Sequence, residues 1–139
     1  MVGLVTTPTC LYAAVLAVAL VPAVAGCAGQ GSVEEGSASR AALAFLAEAG
    51  SRPSDACGLL APETLGELED AEGPCPRSLP QQHLPEAATV RRVEVYGKDA
   101  IVHLDGDTVF LARFDEGWRV TAAGCTAGGD RYDCAVKGG

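Results

Sequence analysis

Charge is missing from the start of this chain. Residues 1–33 contain no Asp, Glu, Lys or Arg. Within them Leu11–Ala25 is a 15-residue apolar run broken only by Pro22. A membrane-crossing helix needs about 20 apolar residues, because the hydrocarbon layer is roughly 30 Å thick. The run is short for that purpose and fits the apolar core of a signal peptide. Met1 to Cys10 also lacks Lys and Arg. The positive charge such a leader normally carries must then come from the N-terminal amine or from an upstream start. The plainer alternative is an uncleaved N-terminal anchor helix, which also takes the following domain out of the cytoplasm.

Other absences exclude chemistry. No C-x-x-C occurs, and structural zinc sites bring ligands in pairs two to four residues apart. No G-x-S-x-G nucleophile motif occurs. Gly124–Gly129 is glycine-rich but lacks the lysine and following helix of a phosphate-binding loop. Asp105-Gly106-Asp107 reads as a turn, with too few oxygens for calcium. No cofactor is expected. The formal net charge is −8, which excludes nucleic acid as a partner and disfavours lying flat on anionic lipid. Aromatics make up only 5% of residues. The core must therefore rest on Val, Leu, Ala, the Phe residues and Trp118, and such a modest core calls for covalent support.

That support is present. The apolar run ends in Val24-Ala25-Gly26-Cys27. Small residues let the extended chain enter a peptidase cleft, and the thiol that follows can carry a lipid. The tetrapeptide resembles the lipobox of bacterial lipoproteins. That resemblance implies cleavage after residue 26 and a diacylglyceryl group on Cys27, leaving 113 residues. Cys10 leaves with the leader. Cys57, Cys75, Cys125 and Cys134 remain, an even number in an exported domain. Four cysteines allow three pairings. Cys57–Cys75 and Cys125–Cys134 are favoured, because each pair is close in sequence and flanks an expected loop.

The expected organisation is a leader over 1–26, lipidated Cys27 with a flexible Gly/Ser-rich tether to residue 38, and one domain over 39–139. Ser39–Ala49 reads as a helix with Leu43, Leu46 and Ala47 on its apolar face and Phe45 at the margin. A second helical segment starts at Ser54 or Asp55. Pro62 opens a third, Glu63–Glu72, with Glu63, Glu67 and Asp70 along a solvated stripe. A proline-bounded connector follows, with one helical turn at Gln81–Leu84.

From Thr89 the pattern alternates, with turn residues between short strands. Strands are expected at Val90–Tyr96, Ala100–Leu104, Thr108–Phe114, Trp118–Ala123 and Tyr132–Val136. Gly97-Lys98 suits a type II′ turn and Asp105-Gly106 a type I′ turn. Trp118, Val120 and Ala122 should share a face, and Gly124–Asp130 should be a loop stapled by Cys125 and Cys134. Helices followed by a strand meander predict an α+β fold, with helices packed on one face of a curved antiparallel sheet of four to five strands.

The segments Val90–Tyr96, Asp107–Leu111, Gly117–Cys125 and Tyr132–Gly138 resemble small actinobacterial lipoproteins of unknown function, as does Cys57–Thr64. The order of elements is similar to the cystatin-like, or nuclear-transport-factor-like, superfamily. That likeness implies a long helix lying across a curved sheet, with a ligand pocket between them in some members.

The expected role is a membrane-anchored extracytoplasmic lipoprotein carrying a non-catalytic binding domain, or an accessory subunit for a protein partner in the envelope. The alternative is a small isomerase- or cyclase-like enzyme. It would use His103 as general base, with Trp118 lining the pocket and Asp105, Asp107 or Tyr96 nearby. That alternative requires His103 inside a closed apolar cavity with a second polar group in reach. His83 is expected in an exposed connector.

Overall fold

The computed structural model describes residues 28–86 and 88–138. The leader, Cys10 and the candidate acylation site Cys27 lie outside the described residues. The described chain is α+β: α1 (Ala28–Ser51), α2 (Pro53–Cys57), α3 (Pro62–Glu72), α4 (Cys75–Ser78), a 3-10 turn at Leu79–Gln82, then β1 (Val90–Tyr96), β2 (Asp99–Leu104), β3 (Asp107–Phe114), β4 (Gly117–Gly128) and β5 (Arg131–Lys137). The strands form one open antiparallel sheet in the order β1-β2-β3-β4-β5.

The sequence expectation of a flexible tether over residues 28–38 is wrong. Those residues form the first half of α1. A helix so rich in Gly and Ser is weak alone, and tertiary contacts supply most helical stability in proteins. Here Glu34 accepts a hydrogen bond from Trp118 Nε1 at 3.3 Å and pairs with Arg113. Ala38 is fully buried. The buried face of α1 is Ala38, Ala42, Phe45, Leu46 and Ala49. Phe45 therefore sits at the centre of the face, while Ala47 is exposed and Leu43 half-buried. The helix packs on the sheet through this face rather than the one centred on Leu43 and Ala47.

This stripe packs on one side of the sheet. Facing it are Val93 and Val95 of β1, Ala100, Val102 and Leu104 of β2, Val109 and Leu111 of β3, and Trp118 and Val120 of β4. The Cys57–Cys75 disulfide, with Cα atoms 6.1 Å apart, ties α2 to α4. Cys125 and Cys134 are also bonded, with Cα atoms 4.0 Å apart. Both favoured pairings are thus present.

The second bridge does not close a loop of the expected kind. Cys125 and Cys134 are register partners within the β4–β5 ladder, and β4 continues to Gly128. β4 is also irregular. Leu111 pairs Val120 and Phe110 pairs Ala122, so Thr121 is an extra residue; a second shift follows before Thr108 pairs Cys125. Each such bulge reverses the side to which later side chains point. Trp118 and Val120 face the core, but Ala122 turns to the side of Phe110, and Ala123 is buried in its place. The Asp105-Gly106 turn is not type I′, because only Gly106 has positive φ.

Candidate functional site

The sheet side turned away from α1 carries the densest group of polar side chains in contact with one another. β1 and β2 pair without a bulge between Tyr96↔Asp99 and Arg92↔His103. Alternation therefore places Arg92, Glu94 and Tyr96 on the same side as Ile101 and His103. Val102 and Leu104, the neighbours of His103, point the other way into the core.

His103 Nε2 lies 2.7 Å from Glu94 Oε2. Arg92 Nη2 is 3.1 Å from the same carboxylate oxygen and 3.3 Å from His103 Nε2. The Tyr96 hydroxyl donates to Glu94 Oε1 at 3.0 Å. One ring nitrogen cannot both donate to Glu94 and accept from Arg92. The shorter contact to a charged acceptor decides, so the proton sits on Nε2 and Arg92 pairs with the carboxylate. In that tautomer Nδ1 is the ring nitrogen left to accept a hydrogen bond. The hydrogen bond from His103, then that from Tyr96, hold the Glu94 carboxyl below its ordinary 4.5. The same Glu94 contact raises the Tyr96 hydroxyl, since losing its proton would break a bond to a carboxylate.

The pairing of Glu94 with His103 was reachable from sequence. A two-residue turn at Gly97-Lys98 puts Tyr96 opposite Asp99, and counting back puts Arg92 opposite His103. Asp105 and Asp107, expected near His103, are not part of this group. Asp105 pairs with Arg91 at the β2–β3 turn. Asp107 is buried, and its Oδ1 accepts from the backbone N–H groups of Thr108 and Cys125, each at 2.7 Å. It therefore stitches the β4 bulge to β3. Its Oδ2 has no partner, and burial raises the Asp107 carboxyl.

The expected pocket shared by His103 and Trp118 is not formed. Trp118 is buried on the α1 side of the sheet and hydrogen-bonded to Glu34, while His103 is on the far side. Neither lines a cavity described among these residues. The most apolar cleft, about 290 Å³, lies between Pro62 and Thr64 of α3 and Ala112, Phe114 and Thr121 of the sheet. A second, about 280 Å³, is bounded by Ala49, Leu79, His83 and Glu86. His83 is exposed, as expected, with φ 52 at the end of the 3-10 turn. Glu63, Glu67 and Asp70 lie exposed on α3. Among the described residues no three His, Cys, Asp or Glu side chains group to hold a metal ion, and no helix is long and apolar enough to cross a membrane. No protein-family model, curated protein or solved structure matches this chain.

Proposed function

We propose that the chain is a lipoprotein of the extracytoplasmic membrane face, held by acylated Cys27, whose α+β domain is a non-catalytic binding or accessory module. The observation that carries this reading is the pairing of all four domain cysteines, Cys57–Cys75 and Cys125–Cys134. Structural disulfides persist in oxidising compartments and are rare in reducing ones. A 15-residue apolar leader ending in Val-Ala-Gly-Cys supplies a route to such a compartment. Pairing four of the six cysteines leaves Cys10 within the leader and Cys27 at its end. One acyl chain anchors weakly, whereas the two of a diacylglyceryl group anchor stably.

Mass spectrometry of the membrane fraction from an acylating host tests this. The expected species begins at Cys27, carries diacylglycerol and has two intact disulfides. An unacylated cytosolic chain that keeps residues 1–26 and has reduced thiols would overturn it. Crosslinking in the native envelope, with recovery of one stoichiometric partner, would support the accessory role.

The enzyme reading draws on one observation, the 2.7 Å contact between Glu94 and His103. A carboxylate that fixes Nε2–H leaves Nδ1 as a base. The described cavities lie elsewhere, so the closed apolar cavity that this reading requires around His103 is not found among them, and the geometry weighs against it. Turnover of a small carbonyl or epoxide substrate, lost in His103→Ala, would favour this reading over the first.

A further inference from the structure

Four large apolar or aromatic side chains are conspicuously exposed among the described residues: Val33 at 64%, Tyr96 at 61%, Tyr132 at 42% and Phe114 at 37%. Three of them share one end of the domain. Tyr96 is the last residue of β1, before the Gly97-Lys98 turn, and Phe114 is the last of β3, before the Asp115-Glu116 turn. In an antiparallel meander these two turns lie at the same end. The Arg113 N–H donates to Lys98 O at 2.7 Å, which places the turns side by side. Val33 joins them because the next residue of α1, Glu34, grips Arg113 and Trp118 of this same hairpin.

That end is also where the chain enters. The described part of α1 runs from Ala28, the residue that follows Cys27 in sequence. Val33 is five residues into the helix, about 7.5 Å along its axis at 1.5 Å per residue. An acyl group on Cys27 therefore holds Val33 and the two turn tips close to the lipid.

We propose that this end of the domain, presenting Val33, Tyr96 and Phe114, seats on the lipid headgroup layer, with α1 as a rigid post rising from acylated Cys27. The inference rests on the lipid-anchor reading above and adds an orientation to it. Tyrosine suits the headgroup level, where its ring is apolar and its hydroxyl stays wet. Charge does not drive the contact. Lys98 and Arg113 are there, but so are Asp99, Asp115 and Glu116, and an acidic rim gains nothing from anionic lipid. The surface consequently stands upright, with the Glu94–His103 side of the sheet facing sideways along the membrane.

Once Cys27 is acylated and the disulfides formed, the mature chain has no free thiol, so an introduced cysteine can be labelled alone. The full chain is made in an acylating host as Lys98→Cys, and separately as Asp130→Cys in the β4–β5 turn at the far end of the sheet. Each is labelled with an environment-sensitive fluorophore and placed in phosphatidylcholine vesicles containing headgroup-spin-labelled lipid. Quenching should be several-fold stronger at position 98 than at position 130. It should fall when Tyr96→Ser and Phe114→Ser are added, with acylation and circular dichroism unchanged, and anionic lipid should not increase it. Acylated protein with equal quenching at the two positions, or quenching that needs anionic lipid, overturns the orientation while leaving the anchor reading intact. An unacylated Cys27 overturns both.

Discussion

Glu94 on β1 and His103 on β2 meet at 2.7 Å on the sheet side turned away from α1, and both remain partly exposed. The contact is charge-assisted, and its effect on Glu94 has a definite sign. The carboxyl is held below its ordinary range chiefly by the His103 hydrogen bond. A group with a depressed folded-state pKa adds stability above its unfolded pKa, and that stability is lost as pH falls through the folded value. Replacing His103 by Ala should move the Glu94 titration upward, as read by side-chain carboxyl NMR. An unchanged titration would mean that the contact is absent in solution.

Asp107 behaves in the opposite sense. It is 5% exposed, and desolvation raises its carboxyl despite the backbone N–H groups of Cys125, Thr108 and Gly124. A raised folded-state pKa gives stability that is complete below the unfolded pKa and is lost as pH rises through the folded value. Asp107→Asn keeps one carbonyl oxygen for those donors and cannot ionise. Denaturant unfolding should therefore show the Asn variant gaining on the native protein as pH rises from 4 to 7. Asp107→Ala should cost about 1–3 kcal/mol at either pH, because it strands buried N–H groups. Equal pH slopes for native and Asn proteins would contradict this account.

These two residues also show how far sequence reasoning reaches. The β1–β2 hairpin was legible because a two-residue glycine turn fixes register, and register fixes which side chains meet. Arg92, Glu94 and His103 follow from counting. The surroundings of Asp107 were not legible, because they depend on bulges in β4 that no local residue pattern announces. The same bulges turned Ala122 away from the core and hid the extent of β4. α1 was misread for a different reason. Its first turns have tether-like composition, and what makes them helical is a contact between Glu34 and Trp118, 84 positions apart. The disulfides were legible because parity and proximity left little freedom.

The two bridges should differ measurably in worth. In the chain-entropy model a crosslink spanning 18 residues, as in Cys57–Cys75, stabilises by about 3.2 kcal/mol. One spanning 9, as in Cys125–Cys134, gives about 2.6 kcal/mol. Paired substitutions to Ala, followed by urea unfolding, should each lower stability on this order. The Cys57/Cys75 double variant should also release α2 from α4, which amide exchange would register as faster exchange over residues 53–57 and 75–78. A variant lacking Cys57–Cys75 that unfolds at the native midpoint would rule out this role.

The N-terminal half of α1 supplies the sharpest contrast between a tether and a folded element. Glu35 is exposed, so a flexible segment would accept proline there at no cost. In a helix, proline removes a backbone hydrogen bond and its ring meets the carbonyl four residues earlier, here that of Gly31. Glu35→Pro should accordingly destabilise the domain and speed amide exchange through residues 32–38. Glu34→Ala should act from the other side of the same contact. It leaves the indole N–H of Trp118, only 8% exposed, without its acceptor. A buried donor stranded in this way costs about 1–3 kcal/mol. Trp118 is the only tryptophan in the chain, so its emission reports the change directly. Loss of the Glu34 lid should admit water and shift that emission to the red. Neutral behaviour of both variants, with emission unmoved, would return residues 28–38 to the role of a tether. It would also remove the rigid post on which the membrane orientation depends.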